Sequence, residues 1–128
     1  MKVIGLDGKE YDWKPTSTHG KRSNLHNRAK ALLVSLFPHD NIIEEVSLTG
    51  TGKPPLRADL YLPNRNLIIE AHGEQHFTFN KHFYSSKADF LRAKARDVKK
   101  LEWCELNEIR IISFNFDESE EELSLIHI

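Results

Sequence analysis

Along this chain the spacing of apolar positions changes period several times, and each change marks an element. "KVIGLDGKEYDW" sets two short apolar-bearing runs on either side of Asp7-Gly8. Asp-Gly suits a turn whose central residues need positive φ, so the pattern predicts an N-terminal β-hairpin with a two-residue turn. A loop through "KPTSTHGKR" follows. In "SNLHNRAKALLVSLFP", Leu25, Ala29, Leu32, Leu33 and Leu36 fall at helical spacing, with Ser23 as N-cap and Pro38 as the stop. "NIIEEVSL" reads as a strand, and "TGTGKPP" as a loop.

"LRADLYL" alternates, with Leu56, Ala58 and Leu60 on one face and Arg57, Asp59 and Tyr61 on the other. After "PNRN" comes "LIIEA", nearly all apolar, as expected of a central strand covered on both faces. "SSKADFLRAKARDVKKLEWCELNE" predicts a long helix carrying Leu91, Ala95, Val98 and Leu101 or Glu102 on successive turns. "IRIISFNF" is a last strand, and "DESEEELSLIHI" an acidic, then apolar tail, expected to be at least partly loose. The order is hairpin, helix, three strands, helix, strand. It predicts a small mixed sheet with helices packed against it, an α/β or α+β sandwich. Residues 1–21 form the hairpin and loop, 22–116 the core and 117–128 the tail, with no internal repeat and no linker that splits domains.

The 128 residues suit one core. No apolar run approaches the roughly 20 residues of a membrane span, and "MKVIGLDGKE" has no signal-peptide core. A soluble, cytoplasmic protein of a bacterial or phage-infected cell is expected. The single cysteine, Cys104, excludes an internal disulfide and a cysteine-based zinc site. The net charge of −1 hides a segregation. Five acids lie in the tail, and residues 1–116 carry 18 basic against 14 acidic side chains, a net of +4. Segment 81–100 has seven basic residues against Asp89 and Asp97. Charge alone leaves two readings, a solvated helix face or a stripe that follows a phosphate backbone.

The chemistry gathers in "RADLYLPNRNLIIEAHGEQHF". Asp59 and Glu70 are acids in strands that otherwise call for burial, which is costly unless the charge is paired or binds a cation. Neighbouring strands lie about 4.8 Å apart, so carboxylates on adjacent strands converge on one ion. Two carboxylates, a backbone carbonyl and waters make a magnesium site, with the carbonyl of Ala71 placed to be the third protein ligand. His72, two residues past Glu70 on the same face, would lie beside the ion, where an imidazole takes a proton or an imidazolium stabilises charge. Gly73 lets the backbone turn away, with Glu74 and His76 on the exit. Taken singly, each residue has a structural reading, such as pairing of Asp59 and Glu70 with Arg57 and Arg65. Together, Asp-x(10)-Glu-x-His on a hairpin, followed by a basic helix, is the pattern of a site. "HGEQH" is not the zincin motif, whose Glu follows the first His on a helix. A zinc site from His72, His76 and His82 has no recognisable spacing.

These residues resemble the PD-(D/E)XK nuclease signature, with His72 at the usual lysine position. More narrowly, the segment with "FLRAKARDVKKLEWCELNEIRIISF" is similar to the branch holding very-short-patch repair endonucleases, small stand-alone phage and bacterial nucleases and some homing endonucleases. The counterparts are His72-Gly73, His76 and Arg96-Asp97, and the likeness covers roughly residues 22–116. It implies a restriction-endonuclease-like mixed sheet between helices and Mg2+-dependent phosphodiester hydrolysis, with Mn2+ substituting. Asp59 and Glu70 would hold the metal, His72 would activate water, and His76 would polarise a phosphate oxygen or the leaving group. Ala58 stands where many relatives have proline. The first helix lacks the acid that relatives carry there; His26 occupies a comparable place, with Glu44 and Glu45 as alternative acids on the next strand. The cysteines of the very-short-patch enzymes' zinc site are missing, so mismatch repair is not implied.

In this setting Lys87, Arg92, Lys94, Arg96, Lys99 and Lys100 would grip DNA phosphates without reading sequence, and Asp97 would pair with a basic neighbour or orient a site group. The expected function is a metal-dependent endodeoxyribonuclease that, being small, works as a homodimer or reads DNA structure rather than a long sequence. The alternatives are a binding module with an inactive nuclease fold, and a ribonuclease.

Overall fold

The computed structural model describes residues 1–18, 24–72 and 87–115, with His72, Phe90, Phe114 and Asn115 by backbone only. The elements are β1 (Lys2–Ile4), β2 (Glu10–Asp12), α1 (Asn24–Leu36), β3 (Ile43–Ser47), β4 (Arg57–Leu62), β5 (Leu67–His72), α2 (Lys87–Leu106) and β6 (Arg110–Asn115). β1 and β2 form the predicted hairpin, and the other strands a mixed sheet in the order β3-β4-β5-β6. β3, β4 and β5 are antiparallel neighbours, whereas β6 returns parallel to β5 after α2. This is the expected α/β architecture. Ser23 and the tail lie outside the described residues.

The sheet separates two cores. Ala29, Leu32 and Leu33 of α1 pack on Leu60, Leu62, Leu67 and Ile69. On the other face Trp103 and Cys104 of α2 join Tyr61, Ile68, Val3 and Trp13. The hairpin therefore shares the α2-side core. Trp13 stacks at 4.9 Å from Tyr61 and meets the edge of Trp103 at 5.0 Å. Its indole N–H donates to Ser47 O at 2.8 Å, giving a buried polar atom its partner. Asn107, just past α2, accepts from Ile4 N–H and donates to Ile4 O, in the manner of a neighbouring strand.

The hairpin loop spans Gly5 to Lys9 rather than two residues. Gly8 has the positive φ expected of the Asp-Gly step (82°). The Asp7 carboxylate accepts from Lys9 N–H, and Leu6 N–H leaves the hairpin to bond Gly50 O at 2.9 Å. Gly5 and Gly50 touch so closely that a Cβ on Gly50 would lie 2.6 Å from Gly5 Cα.

The apolar stripe expected on α2 faces solvent: Leu91, Val98 and Leu101 are all more than half exposed. The inward face is Ala93, Asp97, Lys100, Trp103 and Cys104, at helical spacing. Two of its five members are charged, which put the hydropathy pattern out of phase.

Candidate metal centre

Strand register lines up the acids. Glu44 pairs with Leu60 and Val46 with Ala58, which leaves Glu45 across from Asp59. Leu60 pairs with Ile69, so the next step sets Asp59 across from Glu70, and Glu70 in turn pairs with Ser113 on β6. Glu45, Asp59 and Glu70 thus form one row across three adjacent strands. Like charges directly opposite each other weaken a strand pair, so such a row calls for cations.

A local distortion makes the row. Glu45 has φ of +52°, a conformation that costs a non-glycine residue about 1–3 kcal/mol. It breaks the alternation: Leu60 belongs to the α1-side core but Ala58, two residues earlier, to the α2-side core. The single face expected for Ala58 and Leu60 is therefore split at Asp59. In a regular strand Glu44 and Glu45 would point to opposite faces; here both reach the same helix residue, His26.

His26 is 2 % exposed. Its Nε2 lies 3.1 Å from Glu44 Oε1, whose other oxygen accepts from Lys30 Nζ at 3.0 Å. Its Nδ1 faces Glu45 Oε1 at 3.7 Å and Asp59 Oδ1 at 3.9 Å. His26, Glu45 and Asp59 each offer one ligand atom, and the three atoms lie within 4.8 Å of one another. A histidine that binds metal through one nitrogen commonly donates its other N–H to a carboxylate, which fixes the tautomer. Glu44 sits where that carboxylate belongs. Asp59 is further held by Ala71 N–H, which donates to Oδ2 at 2.7 Å.

Glu70 has a different neighbour. It is 3 % exposed, and its Oε1 lies 3.0 Å from Lys100 Nζ. Burial pushes its carboxyl up to about 8; Lys100 opposes this and Asp59 adds to it. Lys100 is held above its ordinary value: burial opposes its charge, and Glu70, Asp59 and Asp97 together outweigh burial. The two effects compete, because a Glu70 that keeps its proton gives Lys100 less to pair with. The rise at Glu70 is the firmer, since Asp59 and Glu70 share one buried ammonium and one negative charge is surplus. Cys104 is also buried, which, with Glu70 adding, pushes its thiol up to about 12 and leaves it no part as a nucleophile.

Asp59 and Glu70 thus stand side by side as the sequence leads one to expect, but the three-ligand group is His26, Glu45 and Asp59. The His72 side chain, Glu74, His76 and His82 lie outside the described residues. Lys87, Arg92, Arg96 and Lys99 are exposed on α2, Arg92 in contact with Asp89, and Lys94 is half-buried. Lys100 points inward, so its expected place on the outer basic stripe is corrected. Asp97 lines a small cavity with Glu70, Lys100 and Ser113. Arg65 pairs with Asp40 at 2.7 Å and lies over Phe37, not with either site acid. Lys30 went unforeseen; its signal is the i, i+4 spacing from His26, facing two consecutive acids.

No family model matches the chain, and no solved structure matches it. It is similar to "Uncharacterized protein 307L" of Invertebrate iridescent virus 6, 35% identical over 73 residues. The match covers 57% of this chain and 37% of that protein, little more than a third of its length.

Proposed function

We propose that the protein is a metal-dependent nuclease that hydrolyses phosphodiester bonds in DNA. The observation that carries this reading is the row of carboxylates on three adjacent strands with a buried imidazole facing the gap between two of them. The donor set fits a divalent cation. Two carboxylates and an imidazole suit Mn2+ at least as well as Mg2+, and the Glu44–Lys30 pair behind His26 fixes the ring's orientation. Such an ion supplies Lewis acidity, acidifying a water and offsetting negative charge that gathers on the phosphate.

The chain's own residues do the rest. Glu45, Asp59 and His26 would hold the ion, and Ala71 N–H keeps the Asp59 carboxylate aimed. Glu70 stands next in the row, buried against Lys100, and acts on the site through the neighbouring Asp59 carboxylate. The exposed Lys87, Arg92, Arg96 and Lys99 give α2 an outer basic face that suits a phosphate backbone. His72, the last residue of the strand that carries Glu70, is the water-activating group implied by the resemblance to PD-(D/E)XK nucleases.

The test is a cleavage panel with purified protein on supercoiled plasmid, single strands, a four-way junction and RNA, each with Mg2+, Mn2+ or EDTA. Metal-dependent DNA cleavage is expected, falling at least about 100-fold in Asp59→Ala and Glu70→Ala, as when a group acting on the transition state is removed. Binding in EDTA without cleavage would leave only a binding module. Cleavage confined to RNA would make the protein a ribonuclease.

A further inference from the structure

Of the basic residues on α2, Lys100 alone meets a buried acid among the described residues. Its side chain is 18% exposed and that of Glu70 only 4%. Its neighbour Lys99 is exposed. A lysine is rarely buried unless paired, and here three acids face the ammonium: Glu70, Asp59 and Asp97. Asp97 lies nearly one turn before it on the same inward stripe, and Ser113 closes the space from β6. The cavity they line holds about 70 Å³. That is room for one or two waters, each taking about 30 Å³ of liquid volume, but not for a phosphodiester. Lys100 therefore meets the acids from inside the fold rather than from the outer basic face of α2.

The row of three carboxylates has two gaps. Between Glu45 and Asp59 the helix above contributes His26, an imidazole able to donate a lone pair. At the second, between the strands of Asp59 and Glu70, the helix below contributes Lys100, whose ammonium meets Glu70 at 3.0 Å and which has three donors and no lone pair when charged. The Lys100 contact with Glu70 Oε1 is one of charge rather than direction, since that oxygen has no hydrogen bond of good geometry. A divalent ion in this second gap would meet the ammonium.

We infer that Lys100 is the resident cation of the site: its ammonium fills the seat beside Glu70, so that the protein binds one divalent ion, on the His26 side. Lys100 is then a positioning residue, acting through Glu70. This inference rests on the metal reading above.

Counting bound Mn2+ by native mass spectrometry and calorimetric titration of the full chain tests it. One ion per chain is expected in the wild type, in Lys100→Arg and in the exposed control Lys99→Met. Two are expected in Lys100→Met, where the acids around the cavity lose their cation. Two ions in the wild type, or a folded Lys100→Met that binds one with unchanged affinity, would overturn the inference while leaving a metal site in place. If Lys100→Met fails to fold by circular dichroism, the smaller polar change Lys100→Gln is read by the same criteria. A wild type that binds no Mn2+ overturns the metal reading itself, and this inference with it.

Discussion

The two flanks of the carboxylate row solve the same electrostatic problem in different ways. Towards α1 the acids face His26, whose imidazole has a lone pair to give. Its other nitrogen is held by Glu44, and Glu44 by Lys30. Towards α2 the acids face Lys100, a fixed positive charge at 3.0 Å from Glu70. On the proposed reading, the first arrangement leaves a place for an exchangeable cation, and the second supplies a cation from the chain. On that reading, a row of carboxylates is divided into a part open to metal and a part that is not by the side chain each helix brings to it.

The largest effect that distinguishes the flanks is pH dependence on the Lys100 side. Glu70 titrates at about 8 in the folded protein against an ordinary value of 4.5. Between those values the folded protein keeps a proton that the unfolded chain has released. Its contribution to stability is therefore full below the ordinary value and is lost as the pH rises through the folded one. A tenfold difference in proton affinity corresponds to about 1.4 kcal/mol, so the loss is on the order of a few kcal/mol. Melting curves in EDTA from roughly pH 5 to 8.5 should show the wild type losing stability as pH rises, and Glu70→Gln staying flatter over the same window. Parallel curves would mean that burial and Lys100 balance each other at Glu70.

On the His26 side the expected effect is smaller and appears in metal binding. Removing the carboxylate that orients a metal-binding histidine typically lowers affinity by about 10- to 100-fold. Glu44→Gln should weaken Mn2+ binding within that range. It should leave the stoichiometry and the pH dependence assigned to Glu70 unchanged. Unaltered Mn2+ affinity would show that His26 does not serve as a ligand and that its pairing with Glu44 is structural.

How much of this was legible in the sequence depends on the physics behind each feature. Hairpin, strands and helices announce themselves through period and turn residues, because local backbone preference and burial agree there. The pairing of Asp59 with Glu70 was legible too, since a short turn between two strands fixes register. The role of Glu45 was not. It needs a positive φ at a residue type that seldom adopts one, and nothing in "IIEEVSL" signals it. Lys100 was hidden for a related reason. A hydropathy stripe places the inward face of α2 at Leu91, Val98 and Leu101, whereas Trp103 and Cys104 face the core and bring Lys100 inward beside Glu70. Polar groups that satisfy one another in the interior carry no periodic mark.

The smallest effect separates the inner from the outer face of α2. Arg96 is exposed and Lys100 is not, though both lie in the same basic run. A residue that neutralises one DNA phosphate contributes about one unit to the slope of log affinity against log salt. Arg96→Ala should therefore weaken DNA binding in EDTA alike for different sequences and reduce that slope by about one. Lys100→Arg, whose charge stays inside the site, should leave the slope where it is. If Arg96→Ala leaves both affinity and slope unchanged, the outer basic face of α2 is a solvated surface.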